Sequence, residues 1–345
     1  MARTFASDNN SGAHPAVLIA IAEANDGHFH AYGDDPWTAR GIRAIRSHVG
    51  EHADVFFVFN GTGANVTSLS SLLGNGDCIV TPATAHVATD ECGAPERFTG
   101  CKVVGVPTAD GKLRPADVEP LLAAHGNMHH VQPRVISISQ VTETGTVYTP
   151  DEVRALADLA HANGMFLHMD GARVANAAVA LDLPIRSFTT DAGVDVLSFG
   201  GTKNGLLFGE AVCFLTPGLA EHYLYERKSG GQLASKMRYV GAQFAAAYGS
   251  SAWREMAGHA NAMAARLAAG ARTAGVELMW EPQANEVFAL LAPDAMERLR
   301  AVADFYDWEP RGDRVIVRWV CSWDTTDEDV DRFIAAIPAA MEGRS

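Results

Sequence analysis

No run of apolar residues in this 345-residue sequence approaches the ~20 needed to cross a bilayer. Its first residues, MARTFASDNNSG, carry no hydrophobic targeting core, so a cytoplasmic protein without a membrane partner is expected. Positive charge is scarce: 27 Lys and Arg stand against 41 Asp and Glu, a formal net charge of −14. That balance argues against nucleic acid or an anionic membrane as the main partner. It leaves room for an anionic small ligand in a locally basic pocket. Cysteine is sparse and scattered. Cys78, Cys92, Cys101, Cys213 and Cys321 form no CxxC pair, and their odd number reads as reduced thiols filling the core. His28/His30 and His129/His130 lack the adjoining ligands that a metal site needs, so no metal is expected. GxGxxG and Gly-Lys-Ser/Thr are absent too, which counts against dinucleotide and Walker-type nucleotide sites.

What the sequence does have is alternation. Short apolar, β-rich runs recur at 55–59, 78–81, 102–106, 134–139, 165–169, 195–199 and 211–215. Near-continuous apolarity implies burial on both faces, as in a parallel sheet covered by helices. TPDEVRALADLAHANG starts a helix with Thr149 as N-cap, Pro150 at the first position and Glu152 closing a capping box, and Asn163-Gly164 ends it. Thr216-Pro217 reads as a second helix start. Beyond residue 250 an Ala-rich helix, short strands near 276–280, 286–291 and 314–319, and a final helix carrying Val330, Phe333, Ile334 and Ile337 on one face suggest an α+β appendage. The expected division is a large domain over 1–250, with an N-terminal segment 1–20, and a small one over 251–345.

In an open α/β sheet, ligands bind beyond the carboxyl ends of the strands. NGTGAN, PATAH, QVTETG, DGAR and GGTK each follow one of the strands, so their polar residues converge on one edge. Gly61 and Thr62 open a helix after a glycine turn, which suits a phosphate or is an ordinary tight turn. Asp170 ends a buried strand and needs a cationic partner or several donors; the candidate cations are Arg173, as a structural ion pair, and a protonated ring nitrogen of a cofactor. Lys203 sits among Gly200, Gly201 and Gly205, as a surface charge, a phosphate ligand or a Schiff-base nucleophile. Asp before Lys, each ending a strand, below an upstream phosphate turn, is the arrangement a pyridoxal phosphate enzyme needs. Glu51, Glu96 and Asp151 read as solvated surface.

FASDNNSG (5–12), AYGDDPWTAR (31–40), FNGTGAN (59–65), TAHVATDECGAPE (84–96), LHMDGAR (167–173), SFGGTKNG (198–205), GGQLASKMR (230–238) and RWVCSWDT (318–325) together resemble the low-specificity L-threonine aldolases, including relatives acting on phenylserine. The resemblance runs nearly end to end. It implies the aspartate aminotransferase-like fold of type I pyridoxal phosphate enzymes: a seven-stranded, mostly parallel sheet with helices on both faces and a smaller C-terminal α+β domain. It implies that Lys203 carries pyridoxal 5′-phosphate as a Schiff base, that Asp170 pairs with the ring nitrogen and that Gly61 and Thr62 hold the phosphate. His86 would stack on the ring and assist the chemistry. Arg173 and Arg318 would bind cofactor oxygen or substrate carboxylate, with Ser7 on the substrate side. Lys228 would reach a phosphate across a subunit interface, in a tetramer built from dimers. Where many relatives have a histidine in an Asn-Thr-His stretch, this chain has Glu143, which would contact the substrate hydroxyl directly or through water. Removal of the hydroxyl proton falls to His86, to a water it holds, or to Glu143, which as an exposed carboxylate is the weaker base and would govern the choice among β-substituents. The expected reaction is cleavage of an L-2-amino-3-hydroxy acid to glycine and an aldehyde. The rivals are an aminotransferase or β-eliminating lyase on the same lysine and aspartate, a dinucleotide-dependent oxidoreductase and a noncatalytic binding protein.

Overall fold

The structure, a computed structural model, describes residues 3–342. Seven strands form the main sheet: β1 (Asp54–Val58), β2 (Asp77–Pro82), β3 (Lys102–Val106), β4 (Gln132–Ser139), β5 (Phe166–Gly171), β6 (Val196–Phe199) and β7 (Glu210–Phe214). Their order is β1-β7-β6-β5-β4-β2-β3. The pairs β2–β3, β2–β4, β4–β5 and β5–β6 are parallel, whereas β7 runs antiparallel to both β6 and β1. All seven runs read from the sequence are therefore strands of one sheet.

Successive side chains alternate between two cores, one on each face. Leu197, Phe199 and Cys213 join one cluster, and Val196, Val212 and Phe214 join the other. Burial on both faces is the reason these strands read as unbroken apolar runs. The helix Pro150–Ala162 begins as its sequence dictates, with Thr149 accepting from the Glu152 amide and Glu152 accepting from the Thr149 amide.

A second sheet is antiparallel throughout, in the order β10-β11-β9-β8, from β8 (Glu277–Leu278), β9 (Glu286–Leu291), β10 (Tyr306–Arg311) and β11 (Arg314–Val320). The helices Ala252–Thr273 and Asp327–Glu342 share its core: Leu267, Val287, Trp319, Phe333 and Ile337 are all buried there. The N-terminal segment is tied to both units: the His14 amide donates to the Gly205 carbonyl and Val17 joins the large core, while Phe5 reaches the small sheet. Phe5 exchanges backbone hydrogen bonds with Asp304 and Val320, and its ring lies 4.9 Å from that of Phe333. This anchorage delivers Ser7 and Asp8 to the junction of the two sheets.

Two sequence expectations need correction. No helix starts at Thr216-Pro217. Gly218 takes a positive φ of 88°, the chain turns, and the helix runs over Tyr223–Ser229. β10 escaped the pattern because YDWEPR is an exposed edge strand: it offers no apolar alternation, and its Pro310 is tolerated only at an edge.

Candidate active site

A cavity of about 270 Å³ opens at the carboxyl edge of the parallel strands and is lined by Gly61, Thr62, His86, Glu143, Asp170, Arg173, Lys203 and Arg318. It continues into an outer chamber of about 650 Å³, to which Ser7, Tyr306 and Trp308 contribute. Sheet topology thus gathers nine of the ten sequence-assigned residues into one connected space. Lys228 is the exception. It lies exposed on the helix Tyr223–Ser229, its ammonium 5.3 Å from the centre of the Tyr32 ring.

Lys203 stands on a single 3-10 turn, Thr202–Asn204, directly after β6. The turn is packed too closely for side chains. A Cβ on Gly200 would lie 2.3 Å from the Ala172 carbonyl oxygen, and one on Gly201 2.6 Å from that of Gly209. Tyr248 donates to the Gly200 carbonyl at 2.8 Å, fixing the turn from the helix Arg238–Tyr248. Among the described residues the Lys203 ammonium takes part in no hydrogen bond and no ion pair, although it faces Asp8, His86 and Glu210 electrostatically.

Asp170, near the end of β5, is buried. One carboxylate oxygen accepts from Asn65 Nδ2 at 2.8 Å and the other from the Ala172 amide at 3.0 Å. Its partner is not Arg173. That guanidinium forms a buried two-pronged pair with Asp8, at 2.7 and 3.0 Å, and comes within 3.4 Å of Glu286. Burial works against the Asp8 carboxylate, but Arg173 and Lys203 hold its pKa below the ordinary value. Arg318, on β11, lies 3.6 Å from the same Glu286 carboxylate and over the rings of Trp308 and Tyr306, at 5.2 and 5.7 Å. Among the described residues its buried Nε finds no hydrogen-bond partner, and neither do the two Glu286 oxygens.

His86 begins a short helical turn after β2. Its Nδ1 bonds to the buried Glu91 at 2.8 Å, and that bond raises the imidazole pKa against the opposing effect of burial. Asn65 Nδ2 also donates to Glu91, at 2.9 Å, so that Asp170, Asn65, Glu91 and His86 form one hydrogen-bonded chain. The ligand atoms of His86, Glu91 and Asp170 lie within 4.8 Å of one another, but these hydrogen bonds already engage them.

Glu143 is not the exposed carboxylate the sequence suggested. Its Oε1 accepts from the Ser139 hydroxyl at 2.6 Å and from the His86 amide at 2.8 Å, and its Oε2 is sealed from solvent with no hydrogen-bond partner among the described residues. Burial pushes its pKa up to about 7.

The helix Gly61–Ser70 points its amino end into the cavity. Its N-cap Asn60 accepts from the Gly63 amide at 2.7 Å, which leaves the Gly61 and Thr62 amides for a ligand. A Cβ at Gly61 would meet nothing within 4 Å. Ser7 caps the turn Asp8–Asn10 and lines the outer chamber.

The sequence reading missed Asp8, Asn65, Glu91, Glu210 and Glu286. Asn65 follows Gly61 by one helical turn on the same face, a signal available in the sequence. Glu210 and Glu286 each open an apolar strand, an unusual place for an acid. Because β7 runs antiparallel, its first residue lies at the carboxyl edge of β6, where a search of residues following strands does not look.

A mostly parallel sheet with a lysine and an aspartate at its carboxyl edge defines the class, and the family model for beta-eliminating lyases matches residues 4–293. A low-specificity L-threonine aldolase of Pseudomonas aeruginosa is 45% identical over 98% of this chain and 97% of its own length. One from a Pseudomonas species is 44% identical over the same shares. A solved threonine aldolase structure from Leishmania major superposes with a TM-score of 0.93 at 33% identity, covering 97% of this chain and 98% of that one. The chain belongs to the low-specificity L-threonine aldolase family, within the beta-eliminating lyases.

Proposed function

We propose that this protein is a pyridoxal 5′-phosphate-dependent aldehyde-lyase that cleaves L-threonine, L-allo-threonine and related L-3-hydroxy-2-amino acids, phenylserine included, to glycine and an aldehyde. The observation that carries the reading is the unpaired Lys203 ammonium, sharing one cavity with the buried Asp170 carboxylate. The donor set suits the cofactor. An amine is available for the Schiff base, a carboxylate for a protonated ring nitrogen, two helix N-terminal amides for a phosphate and an imidazole for the ring face. Lys203 would hold the cofactor, Asp170 the ring nitrogen, and Gly61 and Thr62 the phosphate. Bound there, the cofactor supplies an electron sink for the pair released when the substrate's Cα–Cβ bond breaks.

The chain's own residues do the rest. Arg318 binds the substrate carboxylate, with Arg173 behind it. His86, oriented by Glu91, takes the proton from the β-hydroxyl as the Cα–Cβ bond breaks and the aldehyde forms. Glu143, beside His86, contacts the β-hydroxyl side of the substrate and biases the choice among β-substituents. A proton returned to Cα completes glycine. Ser7 borders the entrance. We further assign the enzyme to the cytoplasm as a homotetramer, a dimer of dimers, in which Lys228 serves the phosphate of a neighbouring subunit. We assign residues 251–345 to the small domain, of which 343–345 lie outside the described residues.

The test is incubation of the cofactor-loaded protein with L-threonine, L-allo-threonine and L-phenylserine. Glycine with acetaldehyde or benzaldehyde in equal amounts is the expected result. Ammonia with a keto acid would instead mark an eliminating lyase, and a new amino acid formed from an added keto acid would mark an aminotransferase.

A further inference from the structure

One buried acid of the cavity has no part in the scheme above. Glu210 opens β7 and lines the same space as Lys203. Its Oε2 accepts from the Gly201 amide, and the Thr202 hydroxyl donates to the carbonyl of Gly209, the residue before Glu210, at 3.4 Å. The turn is therefore tied to the start of β7 by two hydrogen bonds, one of them to the Glu210 carboxyl, and Lys203 faces that carboxyl by charge.

The surroundings single this acid out. Lys203 is faced by Asp8, His86 and Glu210. Asp8 is already neutralised by Arg173, and His86 is a competing cation when protonated. Glu210 also faces the phenol of Tyr248, whose own pKa burial raises. Among these groups, Glu210 is the carboxyl not committed to an arginine.

We propose that Glu210 is a positioning residue for Lys203, clamping the turn that carries it and, when ionised, favouring the protonated form of the lysine nitrogen. The proposal rests on the reading of Lys203 as the cofactor-bearing lysine. Burial opposes the ionised carboxyl and lifts its pKa to about 7, and Lys203 offsets part of that rise. The clamp therefore gains its charge near neutrality, below the range in which a lysine titrates.

Glu210→Gln keeps an oxygen for the Gly201 amide and removes the charge. In the cofactor-loaded enzyme, the pH midpoint of the visible absorbance of the lysine–cofactor linkage should fall by about one unit. In cofactor-free protein, peptide mapping of acylation at Lys203 against pH should show the same downward shift. An unchanged midpoint in both overturns the proposal. Should the variant fail to fold, Lys203→Ala gives the reciprocal measurement: the Glu210 carboxyl, followed by carbon-13 NMR, should ionise about one unit higher than in the wild type. No rise there also overturns the proposal. Borohydride reduction with peptide mapping separates the two ideas, since pyridoxyl label on a lysine other than 203 refutes the reading of Lys203 itself.

Discussion

Glu143 and His86 share a hydrogen bond and face one cavity, yet burial treats them in opposite ways. Burial raises the carboxyl to about 7, whereas the imidazole, also partly buried, is carried upward by its bond to Glu91. Both groups are shifted upward, so the direction of the shift alone does not distinguish them. Substitution does. His86→Ala removes the proposed proton acceptor and should lower kcat/KM for every substrate by roughly 10²–10⁴-fold. Glu143→Gln keeps an acceptor for Ser139 and the His86 amide. It should cost less than about tenfold, change the ratio of threonine to phenylserine cleavage and erase any rate-profile limb near pH 7. Steady-state kinetics across pH decide the matter, and a Glu143→Gln variant dead towards all substrates would make Glu143 the base. The sequence placed these two residues at the right edge but misjudged Glu143. QVTETG looks like a polar loop, and nothing in it shows that Ser139 and the His86 amide fold over the carboxyl.

At the scale of elements, the parallel strands and capped helices were legible because their causes are local: apolar runs, caps, and glycine or proline stops. β10 and the true start of the helix at Tyr223 were not, since an exposed edge strand and a turn around Gly218 carry no periodic signal. Two glycines that look alike in the sequence illustrate the limit. Gly61 faces open space, whereas a Cβ on Gly200 would press on the carbonyl oxygens of Ala172 and Gly171, at 2.3 and 2.7 Å. Gly61→Ala should therefore fold with wild-type thermal stability and lose cofactor affinity, because its methyl occupies the approach to the phosphate amides. Gly200→Ala should lose about 1–3 kcal/mol of stability, because backbone must move. Equilibrium dialysis with pyridoxal phosphate and urea denaturation separate the two effects. A destabilised Gly61→Ala would show that this glycine serves the fold.

On the scale of the whole molecule, the cavity is a junction: Asp8 from the N-terminal segment, Glu286 and Arg318 from the small sheet, and Asp170, Lys203 and Glu210 from the large one. No single stretch of sequence announces this, because the ion pairs join residues as distant as Asp8 and Arg173. Gathering acids in a closed space has a measurable consequence for stability. Glu143 and Glu210 rise from 4.5 to about 7 on folding, so their contribution is full below pH 4.5 and is lost as pH climbs through 7. His168, buried between Ser137 and Ser198, falls from 6.5 to about 4, so its contribution is present above 6.5 and is lost as pH drops towards 4. His48 shifts in the same direction as His168. His48 adds to the deficit of His168, and His86, raised by Glu91, opposes it. Between these limits the folded protein keeps two carboxyl protons that the unfolded chain has released, and it lacks the proton of His168. Two carboxyls outweigh one imidazole, so cofactor-free protein should lose stability, on the order of 1 kcal/mol per pH unit, from about pH 5 to about pH 6.5. In the double variant Glu143→Gln/Glu210→Gln the downward-shifted groups dominate, His168 and His48 together with carboxyls such as Asp8, and the unfolded chain binds the extra proton. Its stability should rise with pH over the same interval, so urea midpoints that run downward for the wild type and upward for the variant are the expected result. Parallel curves would mean that neither carboxyl keeps its proton on folding.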